Sequence, residues 1–113
     1  MRNTFICLAL CAARLAWAAP AAPANLAAPA TIAAGQKRFN QNCVYCHGNA
    51  GSGGKGAPLQ GRTDLAPAYL FDTISNGKIR GALQMPPWKD AFSEQEIWEL
   101  AAYIHSLRQP GAR

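Results

Sequence analysis

The chain has 113 residues, half of them hydrophobic and 15% charged, with a formal net charge of +5. That length fits one small domain. The basic excess forms no stripe and is not interleaved with an aromatic platform, so a nucleic-acid binder is not expected.

The N-terminus reads as a secretory signal over residues 1–18. Met1-Arg2-Asn3 is a short positive region, Thr4 to Ala13 an apolar run, and Ala16-Trp17-Ala18 an A-x-A cleavage site. Arg14 interrupts the pattern, and the run is shorter than the about 20 residues a spanning helix needs. No stable membrane insertion is therefore expected. Leu8-Ala9-Leu10-Cys11 resembles a lipoprotein signal only faintly, because Leu10 is large. Cleavage after Ala18 removes Cys7 and Cys11, and leaves nine basic against six acidic residues, a net +3. So mild a charge can steer encounters with an acidic partner.

Residues 19–30, APAAPANLAAPA, read as a flexible or partly extended linker. The folded unit is expected over 31–109, with 110–113 as a tail. About 80 residues make a marginal core by themselves. Spacing predicts a first helix from Ile32 to Gln41, with Thr31 placed to cap it. Ile32, Gly35 and Phe39 share one face. Gly35 costs about 1 kcal/mol there relative to alanine, so it marks either a close helix crossing or a bare surface site.

Next comes Cys43-Val44-Tyr45-Cys46-His47, C-x-x-C-H, the attachment signal for a c-type haem. Two thiols three positions apart can each add across one vinyl group of a single porphyrin. The histidine that follows then lies under the iron as its proximal ligand. The rival readings are weaker. A thioredoxin-like dithiol wants a βαβ setting, and no strand pattern follows. Zinc wants four ligands, yet beyond the signal the chain holds no further cysteine and His105 is its only other histidine. A disulfide at a three-residue offset in a helix has poor geometry.

Gly48 to Gly56 is too glycine-rich for regular structure. It lacks the G-K-[ST] ending of a phosphate cradle, and reads with Ala57 to Arg62 as a loop wrapping a cofactor edge. A middle helix is expected from Asp64 to Asn76, with Pro67 in its first turn and Leu70, Phe71 and Ile74 as its apolar stripe. Gly77 suits its end, and Lys78 to Pro87 reads as a loop. The last helix is the best marked. Ser93 and Glu96 form a capping box, and Phe92 and Ile97 are placed as its hydrophobic staple. Ile97, Leu100, Ala101, Ile104 and Leu107 then follow helical spacing. No convincing strand is visible.

After processing Met85 is the only methionine, in Gln84-Met85-Pro86-Pro87-Trp88, where two prolines stiffen the chain beyond it. A His/Met pair is a standard haem arrangement that raises the potential, so Met85 is the candidate distal ligand. His105 is its competitor, but it aligns with Trp98 and Ala102 and is expected to face solvent. Trp98, Trp88 and Tyr69 can each pack on a haem or fill the core.

From Thr31 to Leu107 the chain resembles the class I cytochromes c. The resemblance rests, in order, on Gly35-x-x-x-Phe39, Cys43-x-x-Cys46-His47, Pro58-Leu59, Met85-Pro86 and Leu100-x-x-Tyr103-Ile104. It implies an all-α fold, a small cytochrome c fold with three main helices and loops wrapped around one covalently bound haem. Gly35 and Phe39 would then meet Leu100 and Tyr103. The resemblance also implies a proline carbonyl that accepts the ring proton of the proximal histidine. Pro58 matches it, but no residue separates it from Leu59, so Ala57 stands as the alternative. The function implied is one-electron transfer by haem c and its iron in the bacterial periplasm. Redox proteins such as a dehydrogenase, reductase or oxidase are the expected partners of a monomer that is not itself an enzyme. The alternatives are a dedicated haem subunit of a periplasmic redox complex, a gas-binding or peroxidase-like haem protein, and a haem-free thiol oxidoreductase.

Overall fold

The computed structural model describes residues 21–109. The expected signal segment and the tail 110–113 lie outside the described residues.

The first helix, α1, runs Pro29–Asn42 and so starts earlier than Ile32. Its starting signal is Pro29, whose missing amide costs nothing in the first turn and whose φ is already helical. Ala28 occupies the N-cap position and no side chain caps the helix, so Thr31 lies within the first turn. The Ala/Pro-rich stretch ends in a turn in which the Ala28 amide donates to the Asn25 carbonyl at 2.9 Å. Leu26 packs against the core. Residues 25–30 are therefore folded onto the domain, where composition alone suggested a linker.

Cys43 closes α1 through its amide to the Phe39 carbonyl, 2.8 Å, and a one-turn helix α2, Val44–His47, follows at once. Gly48 breaks it, and Asn49–Gly51 forms a 3-10 turn where glycine content predicted no regular structure. Helix α3 is Pro67–Asn76. It too starts at a proline, after the expected Asp64, whose carboxylate instead takes Arg62. Leu70, Phe71 and Ile74 are buried as their spacing predicted. Two three-residue strands, β1 Lys78–Arg80 and β2 Leu83–Met85, then form an antiparallel hairpin pairing Lys78 with Met85 and Arg80 with Leu83. The sequence had read as a loop there. Almost every residue of the two strands is exposed, so no alternating apolar pattern marks them.

Helix α4, Glu94–Ser106, carries the expected capping box. The Glu96 amide donates to Ser93 Oγ at 3.2 Å, and the Ser93 amide donates to the Glu96 carboxylate at 3.0 Å. Its buried face is wider than predicted. Trp98 and Ala102 are buried beside Ile97, Leu100, Ala101 and Ile104, and Trp98 stacks on Phe71 at 4.3 Å between centroids.

Helices α1 and α4 cross at Gly35. A Cβ there would overlap the Glu99 carbonyl and stand 2.9 Å from Tyr103 Cβ. Four residues on, Phe39 is fully buried with its ring edge-on to Tyr103 at 5.2 Å. Arg38 pairs with Glu96 at 2.6 Å and Glu99 at 3.2 Å across the same crossing. Pairs this near the surface contribute about 0–1 kcal/mol, so apolar contact and not charge holds the helices together. The result is the expected arrangement of three main helices packed on one core, with loops and one short hairpin between them. Among the described residues no helix is long and apolar enough to cross a membrane.

Gly35→Val should overpack this crossing and lower stability by at least about 1–3 kcal/mol, read as a fall in the denaturation midpoint. An unchanged midpoint would show that the helices do not meet there.

Candidate haem site

Cys43, Cys46 and His47 open onto a cavity of about 720 Å³. The size suits a cofactor, since ligand sites commonly run from about 300 to 1,000 Å³. Leu59, Leu65, Leu70, Ile74 and Ile104 give it apolar walls, and Met85 lines it from the hairpin.

The loop after α2 folds back over the motif. The Gly56 amide donates to the Cys46 carbonyl at 2.8 Å and the Gly53 amide to the His47 carbonyl at 2.6 Å. Gly56 passes so near the imidazole that a Cβ would stand 3.0 Å from its Cε1 and Nδ1. His47 Nδ1 then donates to the Ala57 carbonyl at 3.0 Å. A carbonyl can only accept, so Nδ1 holds the proton and Nε2 is left with a free lone pair. A histidine oriented in this way is a stronger metal ligand. The acceptor is thus Ala57, not the expected Pro58, which is an exposed part of the cavity wall. The reason is register. The amides of Leu59 and Gln60 both donate to the Gly51 carbonyl, at 2.8 and 3.1 Å, and buried Leu59 locks the loop one residue short.

Burial, with Cys46 close by, pushes the Cys43 thiol up to about 11. A redox dithiol needs a lowered value, so the thiol-oxidoreductase reading loses support. The zinc reading does too. Among the described residues no three His, Cys, Asp or Glu side chains gather as a metal group, where zinc wants four ligands.

Met85 is half-buried and ends β2. Three contacts fix its segment. Its strand partner is Lys78. The Trp88 and Lys89 amides donate to the Ile74 and Ser75 carbonyls, at 3.0 and 3.2 Å, using carbonyls that the end of α3 leaves free. Gly77 has φ 74°, and a Cβ on it would lie 2.5 Å from the Met85 carbonyl and 2.9 Å from the Pro87 nitrogen. Sequence reading found Gly77 as a helix terminator and missed that it also seats Met85, because that role depends on the unmarked hairpin.

His105 is half-buried, not solvent-facing, and its Nδ1 donates to the Leu65 carbonyl at 3.2 Å. It does not line the cavity. Of the three aromatics left open, Tyr69 and Trp88 line the cavity and Trp98 belongs to the core. The residues present fit a haem. They offer two thiols and an oriented imidazole in one turn, a thioether on the hairpin, and an apolar space of suitable volume.

Residues 30–104 match a family model described as cytochrome c oxidase, cbb3-type, subunit III. The chain is 33% identical over 89 residues to a cbb3-type cytochrome c oxidase subunit FixP of Sinorhizobium medicae, covering 69% of this chain but 30% of that one. It is 34% identical to cytochrome c550 of Pseudomonas aeruginosa, covering 65% and 53%. Among solved structures, cytochrome cL of Methylophaga aminisulfidivorans superposes with a TM-score of 0.63 at 26% identity, over 74% of this chain and 57% of that one. The chain therefore spans only part of the length of these relatives.

Gly77→Ala should destabilise the protein more than Gly81→Ala. Both place alanine at positive φ, a penalty of about 1–2 kcal/mol, but Gly81 has open space around it while Gly77 faces Met85 and Pro87. Equal losses in denaturant titration would show that the Met85 segment does not rest on Gly77.

Proposed function

From a chain that belongs to the family of cytochromes c described as cytochrome c oxidase, cbb3-type, subunit III, we propose a one-electron carrier of the periplasm. Its cofactor is covalently bound haem c with its iron, which supplies reversible one-electron exchange when bound. In this proposal Cys43 and Cys46 hold the ring by thioethers, His47 Nε2 is the proximal ligand and Met85 the distal one. Ala57 sets the imidazole tautomer and angle. Leu70, Ile74 and Ile104 keep water from the ring faces. Segment 1–18 directs export and is removed, with residues 19–28 leading into α1 and 110–113 trailing the domain. The partners would be periplasmic dehydrogenases, reductases or oxidases, met by a monomer.

One observation carries the reading. Met85 and His47 line one cavity, and His47 is already turned by Ala57 to offer its free nitrogen. Were His47 and Met85 both to bind the iron, no site would be left open for a substrate or a gas, which favours transfer over catalysis. A second reading, residence within a larger oxidase, is favoured by the FixP relative.

Met85→Ala should lower the reduction potential and let the ferrous protein bind carbon monoxide. It should also abolish the far-red sulfur-to-iron charge-transfer band that the oxidised wild type shows. A band absent from the wild type, or surviving the substitution, would remove Met85 as the ligand. Recovery of the wild type in a stable complex with an oxidase would favour the second reading.

A further inference from the structure

Residues 86–93, which carry the chain from Met85 into α4, form no regular secondary structure. On one side they rest on α3, through Gly77 and the amides of Trp88 and Lys89. On the other they meet α1. The amides of Ala91 and Phe92 both donate to the Trp88 carbonyl, at 3.0 and 2.9 Å. That turn brings the Trp88 and Phe92 rings into a stack, with centroids 5.1 Å apart and planes within 7°. Stacked rings at such a separation attract beyond their area burial. Over Phe92 stands the Arg38 guanidinium of α1, 5.6 Å from the ring centroid. That is inside the about 6 Å within which a ring face attracts a cation. Arg38 is held there by Glu96 and Glu99. The Glu96 carboxylate also accepts the amide of Ser93, the residue after Phe92.

Three planar groups are thus layered between α1 and the cavity wall, which Trp88 lines three residues beyond Met85. Helix α1 ends against Cys43 and so leads into the half of the site that holds His47. We propose that Trp88, Phe92 and Arg38 form a latch that ties the Met85 segment to α1 and so keeps Met85 on the iron against competing ligands. This deepens the haem reading above and rests on it. All three are positioning residues, acting through Met85. With the latch loosened, the segment keeps its supports on α3 but loses its anchor on α1, and the thioether leaves the iron more often. The helix crossing does not depend on the latch, because Phe39 and Tyr103 are buried in its own core. Opening is therefore a local event and not unfolding of the domain. Arg38 has a task here that its ion pairs do not explain. Those pairs add little stability, but they aim the guanidinium at Phe92.

The test is an imidazole titration of the oxidised, haem-loaded protein, followed by loss of the far-red band. Imidazole enters only when Met85 is off the iron, so its apparent dissociation constant is the intrinsic one divided by the open fraction. Phe92→Leu and Arg38→Gln should each tighten imidazole binding, by about two- to tenfold, with the far-red band intact before imidazole is added. Phe92→Tyr keeps the stack and should match the wild type. In a Met85→Ala background there is no thioether to hold, so adding Phe92→Leu should leave the affinity unchanged. Leu107→Ala is the control for general destabilisation. It cuts the buried core at the far end of α4, and should lower the denaturation midpoint without tightening imidazole binding. Unchanged affinity in both Phe92→Leu and Arg38→Gln would overturn the proposal. So would equal tightening in Leu107→Ala, or a Phe92→Leu effect that survives in Met85→Ala. Should Phe92→Leu fail to fold, Arg38→Gln, at a partly exposed site, decides alone. Failure of the underlying reading is separately visible, as a wild type that takes up haem but lacks the far-red band.

Discussion

The constraint on which this structure depends is the space beside α2. The walls of that cavity are core residues. Leu59, Leu65, Leu70, Ile74 and Ile104 belong to the same buried cluster that joins α3 to α4. About 80 residues make a marginal core by themselves, so a covalently attached haem seated against these side chains would supply much of the missing apolar contact.

The remaining architecture orients two chain segments towards that space. On one side the Gly35 crossing brings α1 down to Cys43, and the Phe39 carbonyl hands the chain straight into α2. The thiols and His47 therefore sit at the end of a rigid element. On the other side α3 carries the hairpin, held by Gly77 and by the amides of Trp88 and Lys89. Helix α4 links them, packing against α1 through Tyr103 and against α3 through Trp98. Supports built on helices suit an electron carrier, since little rearrangement is wanted between oxidation states.

Much of this was legible in the sequence because it rests on local chemistry. C-x-x-C-H names its own purpose and Ser93 and Glu96 mark a helix start, whereas the meeting of Gly35 and Phe39 with Tyr103 followed from the family resemblance, since spacing alone left Gly35 open. What was not legible depends on tertiary register. The hairpin has three-residue strands exposed nearly throughout, so no alternation announces it. The partner of His47 is Ala57 because Leu59 and Gln60 are tied to Gly51, a long-range bond that no motif records. Ala102 was left off the apolar face of α4 yet is buried, and Trp98, open between packing on a haem and filling the core, fills the core against Phe71. His105 looked solvent-facing until the Leu65 carbonyl met it. At the start of α1, Pro29 was read as part of a linker although proline is a good first helical residue; composition outweighed position.

The most direct measurement is the intact mass of the acid-denatured protein, secreted by a host with haem-attachment machinery and digested to locate the modification. The expected result is the processed chain plus one haem, carried on the peptide that spans Cys43 to His47, with no thiol left to alkylate. A bare chain with both thiols alkylatable would contradict the claim that a covalently attached haem supplies the missing apolar contact of this fold.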